Sequence, residues 1–286
     1  MRLPTLIGLC AAALLRAGSA SSADTDVSYA NFAFANELGS GIYELHGHTL
    51  QVYTFTPSHW LRDAPYPGAR PGIKLIFPVT VGFFNYKSAD LIELELPKSI
   101  GALSFEPGVQ WDFWLHEDWH VYPYLKAGGT YSSTTAVNAF IYGMGVRSDV
   151  RFSVWDGAGM WRSELLRAAV HYTHAYETLD DGTTVALPDD AFTRWRNGVE
   201  LRHVIGAPFR DRRAEVGVYG MIDVYADSPS GPATGISTRT LQYEGGLMFG
   251  TNPTWALWGF PLPRIGIGWR DAGALTGWRI VFGEPF

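Results

Sequence analysis

Along most of this sequence apolar side chains recur at every second position, and the positions between them carry arginine, carboxylate and glycine. Period-two alternation marks strands, because successive side chains point to opposite faces of a sheet. Strands with turn signals between them are expected at 103–115, 119–131, 138–154, 161–176, 191–206, 213–226, 239–250, 262–270 and 275–286. The two arms of a hairpin over 41–55, turning at His46-Gly47, and an apolar run from Gly72 to Asn85 interrupted at Pro78 bring the total to about twelve, an even number as bacterial membrane barrels require. Between them Pro57 to Pro71, with four prolines, reads as a connector.

The contents of the two phases decide which way such a sheet faces. Trp195, Val199, Leu201 and Ile205 oppose Arg194, Arg196, Gly198, Glu200 and Arg202, while Val216, Val218, Ile222 and Val224 oppose Glu215, Gly217, Tyr219 and Asp223. Ile265, Ile267 and Trp269 likewise oppose Arg264, Gly266, Gly268 and Arg270, and the same rule sets Leu166, Ala168, Val170 and Tyr172 against Arg167, His171 and Thr173. A soluble sheet would turn a lysine-rich face to water, but the chain has only four lysines. Arginine opposite carboxylate, spaced by glycine, suits a crowded polar lumen where bidentate pairs form and small residues let strands curve. The aliphatic face then meets lipid. The expected fold is an all-β, transmembrane antiparallel β-barrel of about twelve strands over 41–286.

The amino-terminal end fits an exported protein. Met1-Arg2, an apolar run from Leu3 to Leu15 and the small residues Gly18-Ser19-Ala20 read as a cleavable signal peptide over 1–20, with Ala23 as the alternative last residue. Residues 24–40 form a short N-terminal segment. The lone Cys10 lies within the signal, so disulfide and thiol chemistry drop out with it. Removing Arg2 and Arg16 from 22 basic side chains leaves 20 against 28 acidic ones, which argues against nucleic-acid binding. No mature segment offers the ~18 consecutive apolar residues of a membrane helix. Loop lengths orient the barrel: Trp155 to Met160, Glu117-Asp118 and Pro208 to Arg212 are short and fall on the periplasmic side, while Glu177 to Asp190 and Asp227 to Thr238 are longer and fall outside. Trp195, Trp269 and Trp278 then mark the outer rim of the lipid band, and Phe249, Phe282 and Phe286 the inner rim.

The last strand carries the most specific signal. In Leu275 to Phe286 the residues Trp278, Ile280, Phe282 and Phe286 share one phase and Gly277, Arg279, Val281 and Gly283 the other; Glu284 breaks the apolar phase at the periplasmic edge. Together with Ile265-Gly266-Ile267-Gly268-Trp269 before it, this strand resembles the closing strand of the solitary autotransporter-type outer-membrane barrels. The resemblance implies location in the cell outer membrane, contact with its lipid, and an assembly signal, Trp278, Ile280, Phe282 and Phe286, read by the barrel assembly machinery. Autotransporter barrels pass a helix through the pore to an exported domain, whereas about twenty residues separate the signal from the first strand here, so a structural or export-related role without a passenger is expected. The family supplies no catalytic residues and no cofactor.

Three constellations carry residue types with chemical potential. His116-Glu117-Asp118-Trp119-His120 satisfies H-E-x-x-H, but that zinc site needs a helix to bring both imidazoles to one face, and strands flank the motif here. Ser163, His171 and Asp223 name the groups of a hydrolase triad without any spacing to support it, and His171 and His174 lie in opposite phases. A non-enzymatic protein is therefore expected. The remaining candidate is the charged phase itself, Arg147, Asp149, Arg151, Arg167, Arg194, Arg196, Glu200, Arg202, Glu215, Asp223, Glu244, Arg264, Arg270 and Arg279. It reads as a self-neutralising interior that fills the barrel, or alternatively as a narrow, weakly anion-selective channel for small solutes.

Overall fold

A computed structural model describes residues 36–45, 48–86, 102–132, 137–173, 176–178, 184–186, 189–209, 212–226, 238–254, 256–257, 260–261, 263–273 and 275–286. The expected signal peptide, most of the 24–40 segment, the His46-Gly47 turn and His174 lie outside them.

Among the described residues twelve strands form one closed antiparallel ring: β1 (Gly41–Leu45), β2 (His48–Phe55, continued by Ser58–Arg62), β3 (Gly72–Ile76, continued by Val79–Tyr86), β4 (Ala102–Phe105, continued by Gly108–His116), β5 (Trp119–Ser132), β6 (Val137–Val154), β7 (Gly157–Tyr172), β8 (Asp190–Phe209), β9 (Arg212–Tyr225), β10 (Thr238–Asn252), β11 (Ile265–Gly273) and β12 (Leu275–Phe282). Each pairs with its neighbours in sequence, and β1 closes on β12 with Gly41 opposite Arg279 and Leu45 opposite Leu275. Closure leaves no free strand edge along the rows that β1 spans, which is how an antiparallel sheet escapes edge-to-edge association. Two-residue turns join β4 to β5 and β6 to β7 at one end, called here the turn end. The long links after β3, β7 and β9 lie at the other, the loop end.

The sequence expectation ended the second strand at Pro57, but the strand resumes and runs to Arg62. Pro57, Pro78 and Pro107 interrupt β2, β3 and β4 side by side, and the register is the same on both flanks: Phe55 faces Val79 and Ser58 faces Ile76, while Val79 faces Phe105 and Ile76 faces Gly108. Each proline lacks an N–H for the ladder, so the lost bonds fall on one crease across three strands. Across it the carbonyls of Pro57, Pro78 and Pro107 accept from the N–H groups of Phe77, Glu106 and Ala127 at 2.9, 3.0 and 3.0 Å. Gly128 borders the crease so closely that a Cβ there would overlap the Phe105 carbonyl. The connector shrinks to Asp63–Pro71, where Arg62 Nη2 donates to the Pro71 carbonyl at 2.8 Å. Boundaries shift elsewhere too, the turn expected over 155–160 being Trp155-Asp156 alone, since Gly157 already begins β7.

Burial is the inverse of a soluble protein's. Trp195, Val218, Ile265 and Phe282 are exposed on the outer wall at 52%, 50%, 53% and 57%, whereas Arg194, Glu200, Asp223, Gln242 and Arg270 are at most 1% exposed inside. In the loop half, however, the interior is apolar. Val52, Ala102, Ala139, Ile141, Leu166, Ala168, Val170, Phe192, Tyr225 and Ala272 pack there with Leu38 and Tyr43. This corrects the phase assigned to β7. Leu166, Ala168 and Val170 point inward, and Arg167 with His171 points outward, because aliphatic content marks the inside wherever the lumen itself is apolar.

Candidate functional site: the charged lumen

The middle of the lumen is a network built on the inward phases of β5, β7, β8, β9, β10, β11 and β12. Arg196 grips Asp223 with Nε and Nη2 at 2.7 and 2.8 Å, a fork matched to a carboxylate. Arg270 contacts the same carboxylate from the other side. Arg279 donates to Glu244 at 2.9 Å, and Tyr219 donates to the same oxygen at 2.9 Å. A bidentate geometry is possible because antiparallel register sets Arg196 opposite Asp223 and Glu244 opposite Arg270.

Three cationic and acidic side chains absent from the sequence expectation complete this layer. Arg194 donates to Glu164 at 2.7 Å, and Lys126 and Arg194 both reach Glu37, at 2.5 and 3.0 Å. Glu37 belongs to a helical turn, Asn36–Leu38, that enters the lumen ahead of β1. Asn36 donates to Glu106 beside the proline crease at 2.5 Å, and the Tyr43 hydroxyl donates to the Leu38 carbonyl at 2.9 Å. Thus the short segment before β1 is tied to opposite walls. Glu164 was missed because it shares a phase with Leu166 and Ala168; pairing Glu164 with Arg196 across the β7–β8 ladder is the signal that would have found it.

Towards the turn end a second layer forms. Arg162 donates from Nε and Nη2 to the two oxygens of Asp149 at 2.6 and 2.6 Å, and from Nη2 to Glu284 at 2.6 Å. Arg264 holds the fully buried Glu200 and lies 3.8 Å from Glu215. Arg147 lies 3.6 Å from Asp149, with its guanidinium 4.6 Å above the Tyr122 ring. Arg202 continues the inward phase, half-buried beside Gly217, and Arg151 continues it to the mouth, where it is exposed.

Two expected placements are corrected. Arg167 stands on the outer wall, its Nη1 donating to Thr193 Oγ1 at 2.9 Å. Phe286 does not lie on the outer wall with Trp278, Ile280 and Phe282. Gly283 takes φ of 88°, which ends the alternation and turns the tail inward. There the Phe286 ring rests against Gly198, where a Cβ would come within 2.7 Å, and its carbonyl accepts from Arg162. Glu284, expected on the outer face, sits at the lumen mouth instead. Partial desolvation at the mouth pushes its carboxyl up, but the charge and hydrogen bond of Arg162 outweigh that and hold it at about 2.

Neither catalytic constellation assembles. Ser163 Oγ accepts from the Trp195 indole at 3.0 Å on the outer wall, while Asp223 is inside. His116 and His120 straddle the β4–β5 hairpin; His120 points inward, Nδ1 2.9 Å from Asp112 and stacked 5.0 Å from Trp114.

A closed twelve-stranded antiparallel barrel with aliphatic outer wall and ion-paired lumen belongs to the architectural class of membrane β-barrels. Within that class the chain is similar to a solved structure, the beta domain of the Bordetella autotransporter Brka, with a TM-score of 0.55 at 10% identity over 84% of this chain and 92% of that one. The likeness is one of fold. No protein-family model matches the chain, and no curated protein matches its sequence.

Proposed function

We propose that the protein is an integral outer-membrane barrel with a structural or export-related role, non-catalytic, its lumen filled rather than open. One observation carries this reading: charged side chains are buried on the inside while tryptophan, isoleucine and phenylalanine are exposed around the outside. Such a wall is stable only against lipid, and the turn end is then periplasmic and the loop end extracellular. Two indole N–H groups on that wall find partners in the wall itself, Trp119 donating to Ser148 at 2.9 Å and Trp195 to Ser163, as suits surroundings poor in water.

The tie of Glu37 to Lys126 and Arg194, with the apolar layer above it, favours the filled barrel over an anion-selective channel. Assembly would proceed through the barrel assembly machinery reading the outward row Trp278, Ile280 and Phe282 of β12. The test is membrane fractionation with heat-modifiable gel mobility, followed by planar-bilayer recording. The reading expects a membrane-bound, heat-modifiable and electrically silent protein. Soluble periplasmic protein without mobility shift would overturn the barrel, and reproducible anion-preferring conductance steps would overturn the filled lumen.

A further inference from the structure

On the turn side of β1 the wall has a slot. β1 spans only Gly41–Leu45, and the two chain ends that border it leave the wall at glycines in the left-handed region: Gly39, at φ 80°, joins β1 to the Asn36–Leu38 turn in the lumen, and Gly283, at φ 88°, sends the β12 tail inward. β2 runs on past that level, and its second half, Ser58–Arg62, pairs with β3 alone. Ser40 marks the top of the slot. Its carbonyl accepts from the Ile280 N–H at 3.0 Å, while its hydroxyl accepts from the Thr54 N–H at 2.8 Å and donates to the Thr54 carbonyl at 3.1 Å, as a strand residue's backbone would. Below it Pro57 bonds toward β3, accepting from Phe77, so the alternation of an antiparallel ladder turns the N–H and C=O groups of Thr56, Ser58 and Trp60 toward the slot. Gly283 bonds toward β11, donating to Arg264, so those of Phe282 face the slot from the other side. Among the described residues none pairs with this edge, and from Phe55 to Leu61 both phases are exposed.

An open strand edge is costly where water is scarce, and a free row of N–H and C=O groups is a template for another strand. The chain ahead of β1 has the length, polarity and pattern of that strand. Residues 24–35 number twelve, and Thr56 to Trp60 call for five. A chain rising through the slot into β1 runs antiparallel to β2, as β1 does. The Asn36–Leu38 turn is a short excursion on that path, because a helical turn advances only about 1.5 Å per residue. In the segment Phe32 and Phe34 share one phase and Asn31, Ala33 and Ala35 the other, which is the aromatic-outside, small-inside alternation of a wall whose flanking Phe55 and Phe282 are exposed at 71% and 57%. We propose that residues 24–35 dock in the slot as an extended strand against Thr56, Ser58 and Trp60, with Phe32 and Phe34 outward, and so close the turn-end lumen off from lipid. The inference rests on the outer-membrane reading above, which puts the edge where water cannot satisfy it.

The test is amide hydrogen exchange, read residue by residue by NMR on the full chain refolded in detergent. In wild type the Ser58 and Trp60 amides should exchange as slowly as that of His59, which turns toward β3. Deleting residues 24–35, or breaking the strand with Phe32→Pro and Phe34→Pro together, should speed exchange at Ser58 and Trp60 about 100-fold while His59 stays slow. A synthetic peptide of residues 24–35 added to the deletion variant should restore slow exchange, and a scrambled peptide of the same composition should not. Fast exchange at Ser58 and Trp60 in a heat-modifiable wild type overturns the proposal. Slow exchange that survives both variants overturns it too, and assigns the edge to a second copy or another partner. Wild-type protein without heat-modifiable mobility overturns the membrane reading instead. If the deletion variant does not fold, the double proline variant decides, and if neither folds, the wild-type comparison of Ser58 and Trp60 with His59 does.

Discussion

Replacing Asp223 with asparagine removes one charge from the lumen and leaves two cations facing it. Arg196 holds the carboxylate at 2.7 and 2.8 Å and Arg270 contacts it too, and all three side chains are less than 10% exposed. The amide keeps the shape but presents one oxygen and an NH2 group, so at least one guanidinium meets a donor instead of an acceptor. Removing one partner of a buried ion pair costs ~3–5 kcal/mol, and with two cations uncompensated we expect the upper half of that range. The assay is a urea titration of the barrel refolded into lipid vesicles, scored by heat-modifiable mobility. A companion variant, Asp223→Leu with Arg196→Met and Arg270→Met, replaces the charges by apolar groups of similar bulk. It should recover most of the loss, because taking out a whole buried ionic set is often neutral. If Asp223→Asn stays within ~1 kcal/mol of wild type, below the cost of a broken buried pair, or the triple variant is the less stable of the two, the lumen is wetter than its geometry implies and the reasoning fails.

Further outcomes follow from other contacts. Arg162→Ala and Gly198→Leu should each release the inward tail, so that carboxypeptidase removes Phe286 from the folded barrel, which wild-type protein should resist. Ser163→Ala strips the Trp195 indole of its acceptor on the outer wall and should cost about 1 kcal/mol in the same urea titration, with Trp195→Phe partly relieving it. The Glu284 carboxyl is held at about 2 against an ordinary 4.5, so its contact with Arg162 contributes fully above pH 4.5 and is lost as pH falls toward 2. The stability gap between wild type and Glu284→Gln should close across that window, and a gap unchanged at acid pH would contradict the contact.

Particular residues show where the fold was legible. In β8 and β9 the phases Arg194 to Arg202 and Glu215 to Asp223 are uniform along the strand, and both face inward. In β7 the alternation was equally regular but its polarity was misleading. Arg162, Glu164, Leu166 and Ala168 share the inner face because the lumen changes from charged to apolar along its height, so residue type no longer names the side. The tail failed for a different reason. A period persists on paper through Gly283, but a positive φ there is a backbone choice that glycine permits and does not dictate. The prolines of β2, β3 and β4 are each a breaker locally, and only their alignment in register makes them one crease in continuous strands.

The sequence by itself determined that this chain forms many antiparallel strands with one aliphatic and one arginine–carboxylate face, because a period of two and its contents are local properties of the chain. Tertiary structure alone decided which carboxylate each arginine meets, that Glu37 reaches across the lumen to Lys126 and Arg194, that Arg167 looks out and Phe286 looks in. Those outcomes depend on register, on closure of β1 against β12 and on the changing character of the enclosed space. None of these is encoded within a single strand.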